Sequence, residues 1–439
     1  MNRYSSYQSY KESGIEWIGQ LPNHWRVGKL KHLGTLKGGA GFPINLQGQS
    51  DLEVGFYKVG DLAKSLDGKY LSDTSNTLNR EDAIALGATI FPERTIVWAK
   101  IGGALFLNRR RFVKSPCCID NNMTGFVVDE SKVSSEYAYH LTSAIDFAYY
   151  AKPGAVPSLS EGEQSSIPVA IPPCSESHEI AKKLNYEITR IDTLINKKTI
   201  FIELLKEKRQ CLIIDSATKG RNTNVPLKNS GIEWVGTIPA HWEVKPFFAL
   251  LSELNRKNIG LIETNILSLS YGRIVRKSDN RNMGLVPESY ETYQIVEPGD
   301  VVFRFTDLQN DKRSLRSAEV IEKGIITSAY MAIRPHSIQS TYFAWLMRSY
   351  DLCKVFYGLG GGIRQSLKFE DVKRLPIVVP PVSEQIEISK FIERQLNLID
   401  TLIEKTQRSI DLLKERRIAF ITAAVTGKID VNNKQESIS

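Results

Sequence analysis

The chain has 439 residues, with 57 Lys+Arg against 49 Asp+Glu and a formal charge of +8. That length accommodates two or three domains with cores of their own, and 42% hydrophobic against 24% charged residues excludes wholesale disorder. The mild basic excess suits a polyanionic partner better than an acidic one. No apolar run approaches the ~18 residues a membrane span needs, and the polar start MNRYSSYQSYKESG lacks the core of a secretory signal. Five scattered cysteines (Cys117, Cys118, Cys174, Cys211, Cys353) have no CxxC spacing, which argues against a zinc ribbon or a disulfide scaffold. A cytoplasmic protein is expected.

In chain order, the first recognisable segment is Ser13–Trp25, SGIEWIGQLPNHW, which returns as SGIEWVGTIPAHW at Ser230–Trp242 with nine of thirteen positions identical. His24 and His241 stand beside Trp25 and Trp242 in this motif and read as a structural turn packed under an indole. The next stretch, roughly Arg26–Lys152, has short β-prone runs punctuated by glycine, such as Ala88–Lys100 and Gly125–Val128. After Pro172-Pro173 a long helix begins near Ser175. Its apolar residues Ile188, Ile191, Ile195, Ile202, Leu205 and Leu212 fall at heptad a and d positions. The middle of the second half, roughly Glu243–Tyr357, shows little resemblance to that of the first, but it too reads as mixed α/β, with runs at Gln294–Phe305 and Ile325–Arg334. A Gly-rich stretch, Gly358–Gly362, reads as a loop rather than a nucleotide site, because no strand precedes it. The helix then recurs with Leu396, Ile399, Ile403, Ile410, Leu413 and Phe420 in the same register, and twelve of the nineteen positions of Ile191–Arg209 match it. Position d is polar once per copy, at Lys198 and Thr406. A frame is therefore repeated around two divergent inserts, and the similar seams predict that the two helices pair antiparallel. The fold class expected is α/β (α+β): two mixed domains joined by two long coiled-coil helices, with pseudo-two-fold symmetry from the repeat.

A search for chemistry returns no phosphate loop, no HExxH or GxSxG motif, and no paired Cys/His ligand cluster. No catalytic or metal-binding residue is expected. Basic clusters are more informative. The first insert has Lys100, Arg109, Arg110, Arg111 and Lys114; the second has Tyr271, Arg273, Arg276, Lys277, Arg281, Arg304, Lys312, Arg313 and Arg316. Arg364 and Gln365 follow at the junction with the second helix. The planar fork of arginine suits phosphates and the guanine edge, and Asn108, Gln309 and Asn310 could read adenine.

The repeated SGIEW-x-G-x-x-P-x-HW head, PP-x-SEQ leading into IDTLI-x-K, and LLKE[KR]R resemble the specificity subunit of type I restriction–modification systems, in the expected order along the whole chain. One departure is CSESHE at Cys174–Glu179, where the second copy has VSEQIE. The resemblance implies a non-catalytic reader of double-stranded DNA. Target recognition domains at 1–172 and 221–380 would each read one half of a bipartite, asymmetric site. Helices at 173–220 and 381–428, followed by a tail at 429–439, would set the gap between the half-sites. It further implies two methylation subunits bringing S-adenosylmethionine, and restriction subunits bringing ATP and Mg-dependent chemistry, with no cofactor on this chain. The competing reading is a coiled-coil scaffold for proteins alone.

Overall fold

A computed structural model describes residues 4–434 except 66–67, 153, 155, 223, 278–288, 309–314 and 360–365. Among the described residues, four helices have ten residues or more: α1 (Ser135–Ala144), α2 (Cys174–Lys219), α3 (Ser340–Leu352) and α4 (Val382–Val425). The chain forms two compact units, Met1–Lys197 with Ser409–Ser439, and Lys198–Arg408.

In the first unit a four-stranded antiparallel sheet contains β1 (Gly34–Gly38), β2 (Ile96–Ala99), β3 (Arg111–Phe112) and β4 (Met123–Val128), in the spatial order β1-β4-β2-β3. Thr124 of β4 lies opposite both Gly38 and Trp98, and Val97 lies opposite Arg111. Strand β2 reads IVWA and is buried throughout. Its alternation divides it between two cores, as the pleat requires. Ile96 and Trp98 join Tyr137, Leu141 and Phe147, while Val97 and Ala99 join Tyr57, Phe91 and Met123 on the other face. The first core also takes Ile180, Leu184 and Ile188 of α2 and Ile421, Ala424 and Val425 of α4. Residues early in α2 thus meet residues late in α4, an antiparallel arrangement that the Asp192–Arg417 ion pair at 3.0 Å repeats. Strand Arg26–Lys29 pairs with Pro168–Ile171 and joins the head of the unit to the start of α2.

The second unit has the same strand order from unrelated sequence. Here β5 (Leu251–Glu253), β6 (Val301–Phe303), β7 (Ser317–Glu319) and β8 (Met331–Pro335) lie as β5-β8-β6-β7. The buried strand β6 again serves two cores, Val301 and Phe303 on one face and Val302 on the other. The run Gln294–Phe305 is two strands rather than one. Pro298-Gly299, with Gly299 at φ 88°, turns the chain between Gln294–Val296 and β6. A hairpin of Leu267–Ser270 and Arg273–Arg276 turns through Tyr271-Gly272, both at positive φ, as a two-residue loop of its hand requires. In this unit α2 and α4 are also antiparallel, with Arg209 bonded to Asp400 at 3.2 Å and Arg221 to Glu387 at 2.5 Å.

Along the seam, Ile188, Ile191, Ile202, Leu205, Leu396, Ile399 and Ile410 are buried, whereas Ile195, Ile403 and Leu413 are half-buried. The helix expected near Ser175 starts one residue earlier, at Cys174. No helix among the described residues is long and apolar enough to cross a membrane.

Candidate nucleic-acid interface

The repeated head motif packs its tryptophan into the unit core and closes onto the first turn of a long helix. Trp25 and Trp242 are 0% exposed. Glu176 accepts from the Trp25 indole at 3.1 Å and contacts His24 Nε2 at 2.8 Å. Glu384 does the same for Trp242 at 3.0 Å and His241 at 2.7 Å. A carboxylate in the first turn also complements the helix dipole. The two histidines are not packed under the indoles as expected but stay exposed, each tied to the helix carboxylate. The departure at CSESHE has a local explanation too. Ser177 Oγ accepts from the Ser134 backbone N–H at 3.0 Å, and the longer Gln385 accepts from Gln339 N–H at 2.8 Å. Both donors are the residues that cap α1 and α3.

Three residues beyond each cap stands a buried tyrosine that bonds two frame carbonyls. Tyr137 donates toward Val425 (3.0 Å) and Ala170 (3.4 Å), and Tyr342 toward Ala217 (2.9 Å) and Val378 (3.4 Å). Val425 and Ala217 are equivalent in the repeat, as are Val378 and Ala170, each pair 208 residues apart. Each insert is therefore held at matching points.

Each unit has, among the described residues, a cleft where insert arginines face the long helices. In the first, about 440 Å³ is bounded by Arg109, Arg110, Arg111, His140, Asp146 and Arg417. Burial pushes His140 down to about 4, so it adds no charge at neutral pH, and the lining carries four arginines against one carboxylate. In the second, about 400 Å³ is bounded by Arg209, Arg273, Arg348, Glu319, Glu393 and Asp400, and the charges balance. Arg417 and Arg209 are equivalent in the repeat, 208 residues apart. Each pairs with an equivalent aspartate, Asp192 or Asp400.

The expected contacts distribute unevenly. Arg109 is half-buried at the first cleft, and Lys114 is exposed just after β3. Lys100, half-buried at the end of β2, lies beside Gly38 of β1. Arg111 belongs to β3 and donates to the Arg110 carbonyl at 2.7 Å. Tyr271, 86% exposed, tips the hairpin, with Arg273 behind it in the second cleft. Arg276 is exposed but paired with Glu322, and Lys277 is exposed next to it. Arg304 is half-buried after β6.

Two of the residues expected at a DNA surface are interior. Arg110 is 2% exposed, its guanidinium 3.9 Å from the Phe147 ring centre, and burial lowers it to about 9, which leaves it charged at neutral pH. Arg316 is 0% exposed and bonds main-chain carbonyls. Neither presents an edge to a duplex. Arg281, Gln309, Asn310, Lys312, Arg313, Arg364 and Gln365, with most of Gly358–Gly362, lie outside the described residues.

Arg417 and Arg209 also line the clefts, which the sequence does not signal, because the LLKE[KR]R motif that holds both marks the helical frame. Nor does the sequence signal Arg348, which lines the second cleft and donates to the Gly272 and Ser317 carbonyls. The paired tyrosines carry a faint signal, SSEY against QSTY. Among the described residues no group of three His, Cys, Asp or Glu could hold a metal.

A repeated helical frame thus holds two inserts of one topology, each bringing arginines to a cleft against the long helices. Residues 22–204 match the family model described as type I restriction modification DNA specificity domain. The chain is also 22% identical to the type I restriction enzyme MjaIX specificity subunit of Methanocaldococcus jannaschii, over 94% of this chain and 95% of that relative. Its fold is that of a chain solved in work on complex assembly and conformational transition of the type I R-M system, with a TM-score of 0.66 at 13% identity, covering 92% of this chain and 98% of the other. The HsdS subunit from Thermoanaerobacter tengcongensis gives a TM-score of 0.54 at 15% identity, covering 93% and 98%. These findings support the resemblance seen in the repeated motifs, to the specificity subunits of type I restriction–modification systems, and with it a role in sequence-specific DNA recognition.

Proposed function

We propose that each unit reads one half of a bipartite, asymmetric DNA target and that the paired long helices set the gap between the halves. The observation that carries this reading is the shared strand order of two inserts whose sequences differ. One scaffold built twice gives two readers, and divergence of the inserts gives them different targets. Arginines and Lys114 would neutralise phosphates, giving salt-dependent affinity, while side chains on the turns leaving the sheets would contact base edges.

The chain acts as a reader and assembly platform rather than a catalyst. Two methylation subunits would bring S-adenosylmethionine and transfer methyl groups to adenine N6, and restriction subunits would supply ATP hydrolysis and cleavage. Exposed apolar residues on the long helices support docking of protein partners: Tyr186, Leu194, Leu412 and Ile418 in the first unit, and Ile200, Phe201, Leu204, Leu398 and Leu402 in the second.

The test is to co-express the chain with its methylation subunit and map methylated adenines across the genome. A split motif with two unlike parts and a fixed gap is expected, and exchange of residues 26–152 for another insert should change one part only. A continuous motif, or none that depends on this chain, would favour the scaffold reading.

A further inference from the structure

Each unit contains a buried arginine for which direct contact with DNA is ruled out by position. Arg110 immediately precedes β3 and Arg316 immediately precedes β7, so both lead into the edge strand of the same kind of sheet. The surrounding sequences, NRRRF and SLRSA, share only that arginine and lie within the divergent inserts, so the frame repeat does not account for the match.

Arg316 gathers one turn of the backbone. Its guanidinium donates to the carbonyls of Thr306 (2.9 Å), Asp307 (3.4 Å) and Arg304 (3.5 Å), and its Nε reaches the Tyr357 hydroxyl at 3.5 Å. The carbonyls belong to the turn leaving β6, where Asp307 sits at φ 57°, a left-handed conformation that must be held in place. On its other side the turn is tied by the Leu367 N–H to the Phe305 carbonyl at 3.0 Å.

Arg110 fixes a different turn of its unit, the one that leads into β3 rather than the one that leaves β2. It donates to Asn108 Oδ1 at 2.7 Å and to the Arg109 carbonyl at 3.3 Å, and it lies over Phe147 and Trp98. Asn108, at φ 49°, is itself anchored by its amide to the Ser143 carbonyl at 3.2 Å. A charged planar fork presents several donors in fixed directions, so one buried side chain can hold several acceptors in place.

We infer that Arg110 and Arg316 are specificity-positioning residues: each fixes the turn that presents the reading side chains of its own domain, Arg109 in the first and Arg304 in the second. This rests on the two-reader function proposed above. Base-edge hydrogen bonds demand placement within roughly 0.5 Å, so a turn released from its arginine keeps its charge but loses its discrimination.

The experiment uses the full chain co-expressed with its methylation subunit, comparing Arg110→Gln and Arg316→Gln by methylated-adenine mapping. Each variant should relax one half of the split motif, the two variants should relax opposite halves, and discrimination at the affected positions should fall about tenfold or more. Because both sites are buried, the milder Asn108→Ala and Tyr357→Phe, each removing a single partner of the arginine, accompany them and should relax the same halves less. Retention of the full motif by all four variants overturns the inference, as does parallel erosion of both halves or loss of all methylation, which would mark a role in folding alone. A wild-type chain that gives no split motif would instead defeat the two-reader function on which the inference rests.

Discussion

Truncating the carboxylate at the head of each long helix provides an internal comparison, because the two sites are built alike but are not identical. In Glu384→Ala, the Trp242 indole N–H, in a residue with no exposure, loses its acceptor at 3.0 Å, whereas His241 is exposed enough for water to replace the lost contact. An orphaned buried donor costs about 1–3 kcal/mol, and loss of a first-turn carboxylate adds about 0.3–1 kcal/mol. The expected loss is therefore about 2 kcal/mol. Glu176 carries a further bond, from the Tyr7 hydroxyl at 2.7 Å, for which the second unit has no counterpart among the described residues. Glu176→Ala should cost about 1 kcal/mol more. For units of this size each kcal/mol shifts Tm by about 2–4 °C, so the variants should melt about 4–8 °C and 6–12 °C early. Scanning calorimetry of the full chain, with tryptophan fluorescence as a second probe, measures both. A Glu384→Ala loss equal to or larger than that of Glu176→Ala, or shifts below about 1 °C in both, would refute the reasoning.

Three other outcomes follow from the same geometry. His140, bonded to Asn185 and facing Lys69, Glu136 and Arg417, is lowered to about 4 by burial, whereas the unfolded chain titrates near ~6.5. The unfolded state then binds more protons between those values, so stability is intact above about pH 6.5 and is lost as pH falls toward 4; His140→Gln should flatten the Tm-against-pH curve across that window. Ile191→Ala and Ile399→Ala, at buried seam positions, should each cost about 2–5 kcal/mol by thermal melting, and more than Ile195→Ala or Ile403→Ala at the half-buried ones. Lys114→Ala, at an exposed lysine just after β3, should weaken DNA binding similarly on all sequences and reduce the slope of log affinity against log salt by about 0.9; a changed target motif would instead mean a base contact.

The frame was legible in the sequence because long helices state themselves through period and repetition. IDTLI and LLKE recur in register, and the burial of Ile191 and Ile399 follows from that register. The inserts were not, because their strands are as short as Arg111–Phe112 and are defined by partners distant in the chain. Phe91 shows the difficulty, since it sits in a β-prone run yet makes only an isolated bridge to Cys117. Basic runs were ambiguous for a different reason. Arg109, Arg110 and Arg111 are adjacent in sequence, yet only Arg110 turns inward to the aromatic rings of Trp98 and Phe147. Composition gives the charge of such a run but not which member the sheet buries.

The frame places few demands on what it carries. It takes the capping N–H of α1 or α3 through Ser177 or Gln385, and it lends two carbonyls to the hydroxyl of Tyr137 or Tyr342. The capping contact on the insert side is main chain, which every sequence possesses, and in the first unit Asn185 of α2 also bonds the insert side chains Glu136 and His140. An insert can therefore change its sequence widely and still be held by the same frame, as the two inserts of this chain show.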